Sequence, residues 1–93
     1  MTEIAWTREA AQQLVELLTP IADEDPELAG IIAERIEKAL LRLSMFPESA
    51  PLYPASDFLR RLSVPRLPYS CYDEYIEGVV RVLSIRHDRQ NRS

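Results

Sequence analysis

Residues 60–72 read Arg60-Arg61-Leu62-Ser63-Val64-Pro65-Arg66-Leu67-Pro68-Tyr69-Ser70-Cys71-Tyr72, and this stretch decides the fold. Phe58, Arg60, Leu62 and Val64 alternate with Leu59, Arg61 and Ser63, the two-residue period of a half-buried strand. A second β-prone run begins at Tyr69, and the prolines lie in the connection, where they interrupt no hydrogen-bonded ladder. A β-hairpin of residues 58–64 and 69–75 follows. It is expected to gather three arginines and two tyrosines near one surface, although Arg60 and Arg61, as neighbours in a strand, point to opposite faces.

Downstream, Glu77-Gly78 turns the chain into Val79 to His87, a run in which Val80 and Val82 share one face and Val79, Leu83 and Ile85 the other. Apolar residues on both faces suit an interior strand covered on both sides. The polar tail, residues 88–93, is expected to fray. Upstream, residues 47–57 hold three prolines without periodicity and read as a loop.

The first half is helical in pattern. Glu3 to Trp6 is a short β-prone run, after which Thr7 supplies an N-cap and Glu9 an acid in the first turn. Ala10, Leu14, Leu17, Leu18 and Ile21 form an apolar stripe, which Pro20 is expected to end or kink near Thr19. Asp23 to Asp25 reads as a turn. Asp25-Pro26 then caps a second helix, whose stripe Leu28, Ile32, Ile36, Ala39, Leu40 and Leu43 runs to a stop at Phe46-Pro47. Two matched stripes and three alternating strands predict an α+β fold, βααβββ in order, with a helix hairpin packed on one face of an antiparallel sheet.

Ninety-three residues, 46% of them apolar, support one modest core and hence one domain spanning 1–93. No apolar run approaches a membrane span, and the N-terminus lacks a signal-peptide pattern, so a cytoplasmic protein is expected. The lone Cys71 and the lone His87 make no metal set, and no cofactor motif is present. A net charge of −4 argues against tight direct binding to nucleic acid. The charge is uneven: residues 1–50 carry ten acids against four bases, whereas residues 51–93 carry seven arginines against five acids. A function that uses anions is therefore expected in the second half.

The residues Ile4-x-Trp6 before Thr7 and Ala10, Leu43-x-x-Phe46-Pro47, Arg61-Leu62 with Val64, Pro65-x-x-Pro68-Tyr69-x-x-Tyr72 and Val82-Leu83-x-Ile85-x-His87-x-Arg89 resemble, in joint order and spacing, the RelE/ParE family of type II toxins. The Pro-x-x-Pro-Tyr-x-x-Tyr run is more similar to the ParE branch. The resemblance implies a toxin held inactive in a hetero-oligomer with a cognate antitoxin protein. Ribonucleases of the RelE branch need basic residues around the scissile phosphate and an acid–base group, often a C-terminal tyrosine. Here Tyr69 stands where that branch places an arginine, and no tyrosine follows Arg89. The resemblance therefore favours the ParE-like mode, a non-enzymatic inhibitor that binds DNA gyrase. The alternatives are a ribosome-dependent mRNA endonuclease and a non-toxic interaction domain of the same fold.

On this reading the target-binding candidates are Arg61, Arg66, Tyr69, Arg81, Arg86, His87 and Arg89, with no catalytic residue. The antitoxin candidates are Leu14, Leu18 and Ile32 on the helices, with Arg61, Arg81 and Arg86. Each has a plainer reading: Arg60 as the partner of a helix acid, Arg81 of Asp73 or Glu74, the tyrosines as core or rim aromatics, and His87 as a solvated or capping residue.

Overall fold

The computed structural model describes residues 1–54 and 56–91. Its elements are β1 (Glu3–Trp6), α1 (Arg8–Glu24), α2 (Pro26–Met45), β2 (Leu59–Ser63), β3 (Tyr69–Ile76), β4 (Val79–His87) and a 3-10 turn over Asp88–Asn91. The α+β fold and the βααβββ order are as the sequence predicts. The sheet, however, is mixed rather than wholly antiparallel: its order is β1-β4-β3-β2, and β1 runs parallel to β4. Thr7 makes this closure specific, because its N–H and hydroxyl both donate to the Val82 carbonyl while its Oγ1 also accepts from Ala10 N and caps α1. The start of the chain is tied to α2 as well, Thr2 N–H donating to Ser44 O and Ser44 Oγ to Thr2 O, each at 2.8 Å.

Both helices lie on one face of the sheet. The core consists of Ile32, Ile36, Ala39, Leu40 and Leu43 of α2 and Ala10 of α1, packed on Val64, Cys71, Val80, Val82 and Ile85. Ile4 and Trp6 extend it at the β1 edge.

Several expectations about local structure are corrected. Pro20 does not end α1, which continues to Glu24; Ile21 packs against the core, and the Asp25 N–H donates to Ile21 O at 2.7 Å, so packing and capping offset the missing proline donor. The expected turn over Asp23 to Asp25 shrinks to Asp25 alone, which caps the end of α1 with its backbone and the start of α2 with its carboxylate. In β4 the alternation slips. Tyr72 pairs with Ser84 and Asp73 with Val82, leaving Leu83 as an extra residue in a bulge, so Ile85 turns inward with Val80 and Val82 instead of facing away from them. At the C-terminus Asp88–Asn91 form the 3-10 turn, with Asp88 N–H donating to Pro68 O; Arg92 and Ser93, the end of the tail expected to fray, lie outside the described residues.

The three arginines and two tyrosines of residues 60–72 do not share one surface. Register places Arg60 and Tyr69 toward the helices and Arg61 and Tyr72 on the opposite face, while Arg66 occupies the β2–β3 turn. Arg60 pairs with no helix acid. Its guanidinium donates to the carbonyls of Glu48 (3.1 Å) and Ala50 (2.7 Å), and the same loop pairs along the free edge of β2 through Arg61 N to Pro51 O and Tyr53 N to Leu59 O. A loop that occupies an edge strand leaves it unavailable for stray pairing.

Candidate functional site

The face of the sheet away from the helices carries Leu59, Arg61 and Ser63 of β2, Ser70, Tyr72 and Glu74 of β3, and Arg81, Ser84 and Arg86 of β4. The expected cover for this face is only partial. The 47–58 loop lays Tyr53 edge-on against Tyr72, ring centroids 5.4 Å apart, and leaves a cleft of about 360 Å³ among Tyr53, Leu59, Tyr72, Leu83, Ser84 and Arg86, with Glu9 at its margin.

At one end of this face three side chains lock together. Fully buried Ser70 donates to Asp88 Oδ1 at 2.7 Å, and Arg61 donates through Nε to Ser70 Oγ (3.1 Å) and through Nη2 to Asp88 Oδ1 (3.3 Å). The network fastens the C-terminal turn to the hairpin, so Arg61 is engaged within the fold. Arg81 is likewise engaged, with Glu74 at 3.4 Å and not with Asp73. Arg86 is exposed and forms no ion pair among the described residues. Ser70 and Asp88 escaped the sequence reading, because nothing in a short polar residue announces a partner 18 positions away.

A second cleft, about 570 Å³, lies between α1 and the end of the sheet, lined by Gln13, Glu16, Leu17, Tyr69, Ile85, Arg86 and His87. It exists because β1 pairs with β4 only as far as Val82. Beyond that point Gln13 stands in for the missing strand, its Oε1 accepting from Ile85 N at 2.9 Å. Tyr69 and His87 stack edge to face at 5.4 Å, and His87 Nδ1 accepts from Arg89 N at 3.1 Å, the capping role among the readings for that histidine. Arg86 borders both clefts. Arg66 lies apart, against α2. Of the helix candidates, Leu14 and Leu18 are half-buried against the core, whereas Ile32 is 5% exposed and belongs to the core itself, so it can only support a surface from beneath.

The ionisable groups inside the sheet are shifted by burial. Burial pushes the Cys71 thiol up to about 12, with Asp73 adding to the effect, so it stays protonated and unreactive. Burial also raises the Tyr72 phenol, opposed by Arg61, and its hydroxyl is sealed from solvent without a hydrogen-bond partner. Asp73 is raised to about 6 by burial, which Arg60 partly opposes. Among the described residues no group of His, Cys, Asp and Glu could hold a metal ion, and no helix is long and apolar enough to cross a membrane.

No curated protein matches the chain in sequence. Among solved structures, one described as the chromosomal ParDE TA system from P. aeruginosa superposes with a TM-score of 0.78 at 22% identity, covering 94% of this chain and 96% of that one. At that identity the likeness speaks for the fold, which is the one derived above from register and packing. The family model described as the ParE toxin of the type II toxin-antitoxin system parDE matches residues 4–92. Spanning β1 through the C-terminal turn, that match makes this chain a member of the ParE toxin family of type II toxin–antitoxin systems.

Proposed function

We propose that this protein is a cytoplasmic toxin that inhibits DNA gyrase by binding it, without catalysis, and that a cognate antitoxin neutralises it in a hetero-oligomer. The observation that supports the non-enzymatic part is that two cations of the open sheet face, Arg61 and Arg81, are taken up by the carboxylates of Asp88 and Glu74, while the tyrosine hydroxyl of that face, on Tyr72, is sealed away. RNA cleavage through a 2′-hydroxyl requires a positioned acid or base worth roughly 10² to 10⁴ in rate. Arg61 is held by Asp88 and Ser70, Arg81 by Glu74, and the Tyr72 hydroxyl is sealed away. What is left is a recognition surface: Arg86 at the junction of two clefts with Tyr53, Tyr69 and His87 along their walls. Arginine and tyrosine dominate binding hot spots because they combine large contact area with directed hydrogen bonds. Arg89, exposed beyond His87, extends this surface. The antitoxin is assigned to the helices, where Val15, Ile31, Leu41 and Met45 are exposed beside half-buried Leu14 and Leu18. An amphipathic helix laid along that surface would cover them.

Arg86→Ala is expected to weaken inhibition of gyrase supercoiling by about tenfold or more, the usual cost of a binding hot spot, while leaving the thermal melt unchanged. Programmed ribosomes should show no mRNA cleavage by the wild-type protein. Codon-specific cuts alongside normal supercoiling would replace this reading with the ribonuclease one.

A further inference from the structure

In a chain of net charge −4, four cations converge on one patch far from neutrality. Arg35, Lys38 and Arg42 lie three and seven positions apart on α2 and so share a helix face. The β2–β3 turn brings Arg66 to them, and the four line, with Ala39 and Pro65, a cavity of about 180 Å³. Arg42, Ala39 and Pro65 also border an adjoining hollow of about 270 Å³ that reaches Leu62. Among the described residues, Lys38 alone of the four has an acid in contact, Glu34 at 2.9 Å one turn away. Arg35, Arg42 and Arg66 form no ion pair among the described residues.

Beyond the Lys38–Glu34 pair and the favourable place of Arg42 in the last turn of α2, the fold gains little from this crowding. Like charges spaced by one helical turn repel. Arg66 also sits at φ 64°, in the left-handed region, where glycine or asparagine would satisfy the turn with less strain and no charge. We propose that the patch is a docking site for an acidic peptide segment of a partner protein. Carboxylates of the segment meet the guanidiniums of Arg35, Arg42 and Arg66, and an apolar side chain rests on Ala39 and Pro65. Planar guanidinium groups match carboxylates in paired hydrogen bonds. A peptide fits better than a nucleic-acid backbone for two reasons. The floor is apolar and offers a bare phosphate nothing. The ten acids in residues 1–50 repel a long polyanion, whereas a short segment feels mainly the charges within a Debye length of about 8–10 Å. The site shares no lining residue with the clefts at Arg86, and so lies apart from the proposed gyrase contact; it shares the outer face of α2 with Ile31 and Met45, and so deepens, and rests on, the reading of the helices as the antitoxin surface.

The test is a fluorescence anisotropy titration of the full chain with a short labelled peptide of alternating glutamate and leucine, at about 50 mM salt so that the charges are only weakly screened. Saturable binding is expected, weakened about tenfold or more by Arg35→Gln with Arg42→Gln and by Arg66→Gly, as for lost charge-assisted hydrogen bonds. Arg66→Gly relieves the positive φ, so a melt at or above that of the wild type accompanies the loss and separates it from unfolding. Equal binding by wild type and Arg66→Gly, or no binding by either, overturns the proposal. So does equally tight binding of a glutamate–serine peptide of the same charge, which would remove the role of the apolar floor, or stronger competition by duplex DNA than by the peptide.

Discussion

Asp73→Asn is expected to make the domain more stable, by about 2 kcal/mol at pH 7.5, even though it alters one of the most deeply buried side chains. Asp73 is fully buried on the helix-facing side of β3, and neither carboxylate oxygen has a hydrogen-bond partner. Arg60, its cross-strand neighbour, gives some attraction but spends its donors on the loop carbonyls of Glu48 and Ala50. A carboxyl raised from 3.8 to about 6 in the folded state binds its proton more tightly folded than unfolded. Its stabilising effect is therefore present below pH 4 and is lost as pH rises through 6. Above pH 6 the folded protein bears the whole cost of a buried charge, about 3 kcal/mol at 1.36 kcal/mol per pH unit. The asparagine amide is still unpartnered, which leaves a net gain of about 2 kcal/mol. Urea unfolding at pH 4.5 and 7.5 checks this: the advantage of the variant should be small at the lower pH and full at the higher. An advantage independent of pH would show that ionisation of Asp73 is not its source.

Leu43→Ala should have the largest effect in the other direction, a loss of about 3–4 kcal/mol and a melting temperature lower by roughly 15 °C. Leu43 is 0% exposed in the α2 layer over the sheet, and truncation leaves a void that backbone held by the Ser44–Thr2 pair of hydrogen bonds cannot readily close. For a domain whose total stability is about 5–15 kcal/mol, that approaches the margin for folding. Circular-dichroism melts and urea titration measure it. A loss below about 1 kcal/mol would mean that the helices collapse onto the sheet and that the layer is softer than described.

Much of the architecture was legible because it is local. The α2 stripe is repeated almost without change in the buried set, Ile32, Ile36, Ala39, Leu40 and Leu43, and the alternation around Pro65 and Pro68 became the β2–β3 pair. Features that depend on distant residues were not legible. The parallel pairing of β1 with β4 joins Thr7 to Val82 across 75 positions, and no period in either strand encodes it. The bulge at Leu83 reversed the facing of Ile85, since one inserted residue inverts a two-residue alternation. The candidate site shows the same division. That Arg60 and Arg61 face opposite ways follows from alternation alone. That Arg61 is held by Asp88, and that Arg66 joins Arg35 and Arg42, depends on tertiary placement of chain segments with no shared pattern.

The parallel closure of β1 onto β4 also sets a clock on synthesis. The first strand leaves the ribosome before the other elements of the sheet, yet among the described residues its neighbour is residues 79–82, translated after β2 and β3. Contacts this far apart in sequence form late and carry a loop-closure cost. A chain truncated before residue 79 therefore keeps two helices and a hairpin with the β1 flank of the core uncovered, and it should be cut by protease where the full chain resists. Resistance in the truncated chain would contradict that order. On the function proposed above, the helices stand ready for an antitoxin before β4 arrives to close the sheet.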